Sequence, residues 1–130
     1  MAAIIRPTFW GETWNWRDNN YVQGDAVKCD VYSYRGKDRT FVKGEIAPNE
    51  NRGWTTAASD YYYLILEGSA TVEISDSESC SGDRQYEVRA DGHNTGKGAG
   101  FLIEAGTTYN YRAGTDGLKF VLFMNNLWGE

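Results

Sequence analysis

The sequence predicts an all-β fold, an antiparallel jelly-roll sandwich or barrel with minimal helix, formed by one domain over residues 1–130. Three observations carry this. First, no window of a dozen residues keeps apolar positions at i, i+3, i+4 and i+7, so amphipathic helices are not encoded. Second, short runs rich in Val, Ile, Tyr and Phe recur between turn residues, with 15 Gly punctuating the chain. Third, a chain of 130 residues with 41% hydrophobic content can bury roughly two thirds of its extended surface in a single core.

The elements follow in order. Phe9, Trp10, Trp14 and Trp16 fit neither the helical nor the strand period, so residues 1–20 read as an N-terminal arm, helical or extended, laid across the barrel. Val27 to Tyr34 reads as a strand closed by the turn residues Arg35, Gly36, Lys37 and Asp38. Thr40 to Ile46 is the next strand, and Ala47 to Gly53, with Pro48, Asn49 and Asn51, is a loop. Tyr61 to Leu66 is the strongest strand, and Glu67 and Gly68 are expected to turn it into a hairpin with Ala70 to Ile74. Acidic, Ser-rich Ser75 to Asp83 reads as a loop and Arg84 to Arg89 as a strand. Ala90 to Gly96 is a turn region, followed by three separate strands at Gly98 to Glu104, Thr107 to Arg112 and Leu118 to Met124. Eight or nine short strands in this pattern are those of a sandwich or barrel.

Charge and composition narrow the function. A net charge of -5 lacks the positive footprint that phosphate backbones and anionic membranes attract, so no nucleic acid and no membrane partner is expected. No stretch approaches a membrane span, and the opening residues carry no apolar run of signal-peptide length, which predicts a soluble, cytoplasmic protein. Cys29 and Cys80 have no C-x-x-C spacing; reduced thiols are expected, with a Cys29 to Cys80 bridge left open for an oxidising compartment. The 19 aromatic residues (Trp 5, Tyr 9, Phe 5) exceed what a small core needs, and read either as core plus interface or as the wall of a ligand cavity.

Short motifs point mostly to structure. Gly96, Gly98 and Gly100 resemble a phosphate loop but lead into the strand residues Phe101, Leu102 and Ile103, where no helix N-terminus waits to hold a pyrophosphate. Asp76, Ser77, Glu78 and Ser79 resemble the start of a calcium loop, yet Cys80 stands where the next oxygen ligand belongs. His93 is the one histidine, in a turn: either an exposed imidazole or a base. A metal site of several imidazoles is excluded by counting.

Two segments carry a family resemblance. Asp60 to Val72, a strand running into Leu66, Glu67 and Gly68, resembles the end of the first cupin motif. Gly98 to Tyr109 is similar to the second, in which a Gly is followed by five residues, a Pro-x-Gly turn and a ligand His; about 30 residues separate Gly68 from Gly98. The resemblance covers roughly Thr40 to Met124 and implies a cupin barrel around a small-molecule cavity. It also implies loss of the family's metal: Tyr61 takes the place of the ligand Glu, Thr55 and Ala57 (or Trp54 and Thr56, one residue out of register) those of the paired His, Tyr109 that of the second-motif His, and Glu104 that of the Pro. No metal and no cofactor is therefore expected.

In that register Tyr61, Tyr63 and Ile65 share one strand face and Thr107, Tyr109 and Tyr111 another, both turned inward. The predicted site is catalytic at Tyr109, Glu104 and Tyr61 and ligand-binding at Tyr63, Tyr111, Trp54, Thr55 and Lys43. Glu104 beside the rings would gain a raised pKa suited to acid–base work, against a plain exposed turn residue. Arg39, Phe41, Lys43 and Glu45 share a face that is solvent-facing or, if inward, needs Lys43 and Glu45 to pair or a charged ligand. Two function classes stand: a metal-independent isomerase, epimerase, cyclase or lyase acting on a small polar or carbohydrate-like organic molecule, and a non-catalytic ligand-binding or structural cupin. A homodimer is expected from the surplus of Trp and from edge pairing common in the family.

Overall fold

The structure, a computed structural model, describes residues 16–23, 26–34, 38–75, 84–92 and 98–126. Its strands are β1 (Trp16–Gln23), β2 (Val27–Tyr34), β3 (Arg39–Ile46), β4 (Thr55–Thr56), β5 (Tyr61–Ser75), β6 (Arg84–Arg89), β7 (Gly100–Ile103) and β8 (Thr108–Met124). All pairings are antiparallel, in the order β1-β2-β3-β8-β5-β6, with β4 on β8 and β7 on β5. Among the described strands the ladder does not close on itself, an arrangement compatible with a jelly roll.

Two long strands organise the fold, and here it departs from expectation. Tyr61 to Ile74 is not a hairpin, nor are Thr107 to Arg112 and Leu118 to Met124 separate strands: β5 and β8 run 15 and 17 residues without a break and pair along nearly their whole length. Their register slips between Ile65 and Glu67 and again between Gly68 and Ala70, so Glu67 and Gly68 bend a continuous strand instead of reversing it. Gly68 has φ of 82°, and a Cβ there would lie 2.0 Å from the Gly117 carbonyl oxygen on β8. Only glycine meets both demands.

The bend divides the ladder into two packed halves. In one, residues 61–68 of β5 and 118–124 of β8 join β1, β2, β3 and β7; in the other, residues 70–75 and 108–113 join β4 and β6. Strand alternation turns one face of each half inward. Val27, Cys29, Val31, Val42, Ile46, Tyr61, Tyr63, Ile65, Phe120, Leu122 and Met124 bury from the first, and Ala70, Val72, Ile74, Val88, Tyr109, Tyr111 and Ala113 from the second. Rings meet across the halves, Tyr111 and Phe120 edge to face with centroids 5.7 Å apart.

Trp16 to Asn20, assigned above to an arm, lie in β1, which pairs with β2 despite an irregularity between Arg17 and Asn19; the polar run in β1 hid its strand pattern. Residues 1–15 of that arm lie outside the described residues, as do Cys80, His93 and most of the acidic loop. Cys29 is a free, buried thiol. Among the described residues no helix is long and apolar enough to cross a membrane.

Candidate functional site: a phenol-lined cavity between the two halves

Between the halves lies a cavity of about 320 Å³, walled by Val27, Cys29, Val42, Phe120, Leu122 and Met124 on its apolar side and by Tyr61, Tyr63, Tyr109, Tyr111, Thr55, Thr56 and Arg52 on its polar side. The four tyrosines arrive by alternation from two strands: Tyr61 and Tyr63 on β5, Tyr109 and Tyr111 on β8. All four are buried. The Tyr63 and Tyr109 hydroxyls share a hydrogen bond of 2.6 Å, and the Tyr61 hydroxyl accepts one of 3.1 Å from the Ala58 N–H. Tyr63 stacks on Phe101 at 4.5 Å and meets Tyr109 and Tyr111 edge-on at 6.2 and 5.3 Å. These contacts fix the rings, so the hydroxyls keep fixed positions.

Burial pushes the Tyr63, Tyr109 and Tyr111 phenols well above their ordinary pKa, and the Cys29 thiol up to about 11. A phenolate or thiolate in this cavity forfeits hydration without full replacement. The groups are therefore neutral at physiological pH and act as hydrogen-bond donors and acceptors, not as bases.

The predicted residues divide by strand geometry. Tyr61, Tyr63, Tyr109, Tyr111 and Thr55 come together around the cavity, with Thr55 paired directly opposite Tyr109. Thr56, also in the lining, shares a hydroxyl contact of 2.8 Å with Thr108, and Ala57 is buried outside the lining. Trp54 is half-buried and outside the lining. Lys43 is exposed, because Val42 and Gly44 on either side of it in β3 are the inward residues. Glu104 is exposed one position beyond the inward Ile103, its carbonyl accepting from the Thr107 N–H at 3.1 Å in a turn. Neither charge joins the phenols.

Two titratable lining residues, Cys29 and Arg52, were not among those predicted. Cys29 follows the same alternation as Val27 and Val31, a signal present in the sequence. Arg52 has no such signal, since it lies in the Pro48 loop. That loop runs beside β8: Asn49 N–H donates to the Gly114 carbonyl, Ala113 N–H to that of Glu50 and Arg52 N–H to that of Tyr111, at 3.1, 2.9 and 2.9 Å.

No family model and no curated protein matches the sequence. Solved structures do match the fold, cupin superfamily proteins among them. Oxalate decarboxylase from Lactobacillus farciminis, in a formate complex, superposes with a TM-score of 0.67 at 14% identity, over 100% of this chain and 36% of that one. A cupin superfamily protein from Desulfitobacterium hafniense gives 0.59 at 14% identity over 82% and 83%, and KdgF from Halomonas 0.59 at 13% over 83% and 86%. The chain spans about a third of the length of the oxalate decarboxylase. The fold is thus the cupin fold.

Metal centres implied by that fold do not fit these residues. In either register of the first motif, Thr55 and Ala57 or Trp54 and Thr56, its positions hold no imidazole, and Tyr61 and Tyr109 put phenols at the other two; a guanidinium shares the cavity. Divalent cations need deprotonated or imidazole donors, and burial holds the Tyr109 phenol and the Cys29 thiol protonated. Among the described residues no three His, Cys, Asp or Glu side chains cluster.

Proposed function

We propose that the protein binds a small organic molecule in this cavity, with the phenols of Tyr61, Tyr63, Tyr109 and Tyr111 as hydrogen-bonding groups and their rings as walls. The observation that carries the reading is the convergence of four buried tyrosines from β5 and β8 on one cavity; two of them, Tyr61 and Tyr109, stand where the resemblance to the cupin motifs puts metal ligands. Its volume lies at the small end of the range for ligand sites. Metal-independent isomerase, epimerase, cyclase or lyase chemistry needs a base that accepts a proton near neutrality; the titratable groups of the described lining are four phenols, one thiol and one guanidinium. Binding is favoured on that ground.

The test is a screen of small polar and aromatic molecules by ligand-observed NMR and thermal shift. Binders are expected to raise Tm and to perturb the Tyr63 and Tyr109 ring resonances. Tyr109→Phe is expected to weaken them about fivefold to tenfold, the loss of one hydrogen bond, and Glu104→Gln to leave them unchanged. Binding unaffected by Tyr109→Phe, or no binder at all, overturns the reading, and turnover of a bound molecule restores the enzyme alternative.

A second copy of the chain is proposed to cover the outer face of the first half-sheet, the surface on which the expected homodimer can form. Tyr32, Phe41, Phe123, Tyr62 and Leu102 lie side by side across five strands there, each paired with the next. Tyr62, Leu64 and Leu102 are 45%, 49% and 49% exposed.

A further inference from the structure

Arg52 is the one charged side chain in the described lining of the cavity. Its backbone is anchored on both sides of the residue. Arg52 N–H donates to the Tyr111 carbonyl at 2.9 Å, Gly53 N–H donates to Asn110 Oδ1 at 2.9 Å, and Asn110 Nδ2 donates to Asn51 Oδ1 at 3.1 Å. Asn110 is itself 4% exposed and sits on β8 between the cavity residues Tyr109 and Tyr111. One buried amide therefore clamps the residues before and after Arg52 and fixes the backbone from which its side chain enters the cavity lining. Burial raises the pKa of Cys29, Tyr63, Tyr109 and Tyr111, and in each case the Arg52 charge opposes the rise, so its positive charge is felt at these four lining groups.

Resting on the small-molecule reading above, we infer that the cavity selects a small monocarboxylate, its carboxylate on the Arg52 guanidinium and its apolar body among the aromatic and aliphatic walls. A guanidinium presents parallel N–H donors that match two carboxylate oxygens. Neutral phenol and threonine hydroxyls beside it add donors without adding charge. A phosphate dianion brings a second negative charge for which this lining holds no second cation, and an unpaired buried charge is costly. An ammonium ligand meets a like charge.

The experiment uses the full chain and three probes of similar shape at neutral pH, benzoate, benzamide and phenyl phosphate, with affinities from calorimetry. Benzoate is expected to bind about tenfold or more tightly than benzamide, the worth of a charge-assisted hydrogen bond, and more tightly than phenyl phosphate. Arg52→Gln is expected to erase the preference for benzoate over benzamide; Arg52→Lys, which keeps the charge and loses the fork, retains part of it and serves if the Gln variant does not fold. Equal affinity for benzoate and benzamide in the wild type, tighter phenyl phosphate, or a preference that survives Arg52→Gln overturns the carboxylate inference and leaves the cavity reading standing. Failure of all probes and of every neutral molecule in the screen removes the cavity reading, and the inference with it.

Discussion

Cys29, Tyr63, Tyr109 and Tyr111 share one consequence of burial, and it sets the protein's response to alkali. Their pKa values are raised in the folded state, for Cys29 to about 11 from an ordinary 9.0 and for the phenols well above 10.0. Above pH 9 the unfolded chain loses these protons before the folded one does. It then binds fewer protons, and stability falls as pH rises. The contribution is fully present below the unfolded values and is lost from pH 9 upward. Titration is therefore expected to show the phenolate absorbance of Tyr63, Tyr109 and Tyr111 only together with loss of the folded circular dichroism signal. Ionisation of all nine tyrosines with the fold intact contradicts this placement. The same residues show what was legible beforehand. A period of two is enough to put Tyr61 with Tyr63 and Tyr109 with Tyr111, and the sheet does the rest. Glu104 and Lys43 obey that period as well and point outward, so their assignment to the site set local alternation aside. Arg52 was illegible, because the loop that positions it takes its geometry from β8 and from Asn110, some 60 residues away along the chain.

At the scale of elements, the difference between a hairpin and a bend turns on Gly68. Glu67 and Gly68 between two apolar runs are good turn residues, and nothing local distinguishes reversal from a bulged, bent strand. The distinction comes from β8, whose Gly117 backbone packs against Gly68 closely enough to exclude a side chain. Gly68→Ala is therefore expected to cost about 3 kcal/mol or more, combining a left-handed backbone with a backbone clash. Gly106, in the turn before β8, has a similar φ of 86° but open space where a Cβ would go. Gly106→Ala is expected to cost only about 1 kcal/mol, the conformational strain alone. Urea denaturation of the two variants measures the difference; equal costs mean that β5 and β8 do not bend against each other at this point. Since β5 and β8 each supply two cavity tyrosines, Gly68→Ala is also expected to weaken ligand binding, whereas Gly106→Ala is not.

For the whole molecule, the outer face of the first half-sheet is the surface on which the proposed dimer would form. Register stacks its outward residues into three rows. Tyr32, Phe41, Phe123, Tyr62 and Leu102 form an aromatic and apolar row, with Phe41 and Phe123 centroids 5.4 Å apart and Tyr62 and Phe123 6.2 Å apart. Asp30, Lys43, Val121 and Leu64 form the next, and Lys28, Glu45, Lys119 and Glu67 the third, in which Lys119 and Glu67 pair at 3.1 Å. The face thus grades from apolar to charged, and its charged end alternates in sign. Such a surface is self-complementary: a two-fold axis through it buries apolar area and confronts no block of like charge. A contiguous exposed apolar row is uncommon on a monomer. Sedimentation or light scattering of the wild type is expected to give twice the chain mass. Leu64→Asp, at a position half exposed and pointing away from the core, puts an unpaired carboxylate into the dimer contact without disturbing the fold. It is expected to yield a monomer with unchanged circular dichroism and, because the cavity lies on the opposite side of the sheet, with ligand affinity retained. A monomeric wild type at its highest soluble concentration, or a Leu64→Asp variant that remains dimeric, removes this face as the contact between copies.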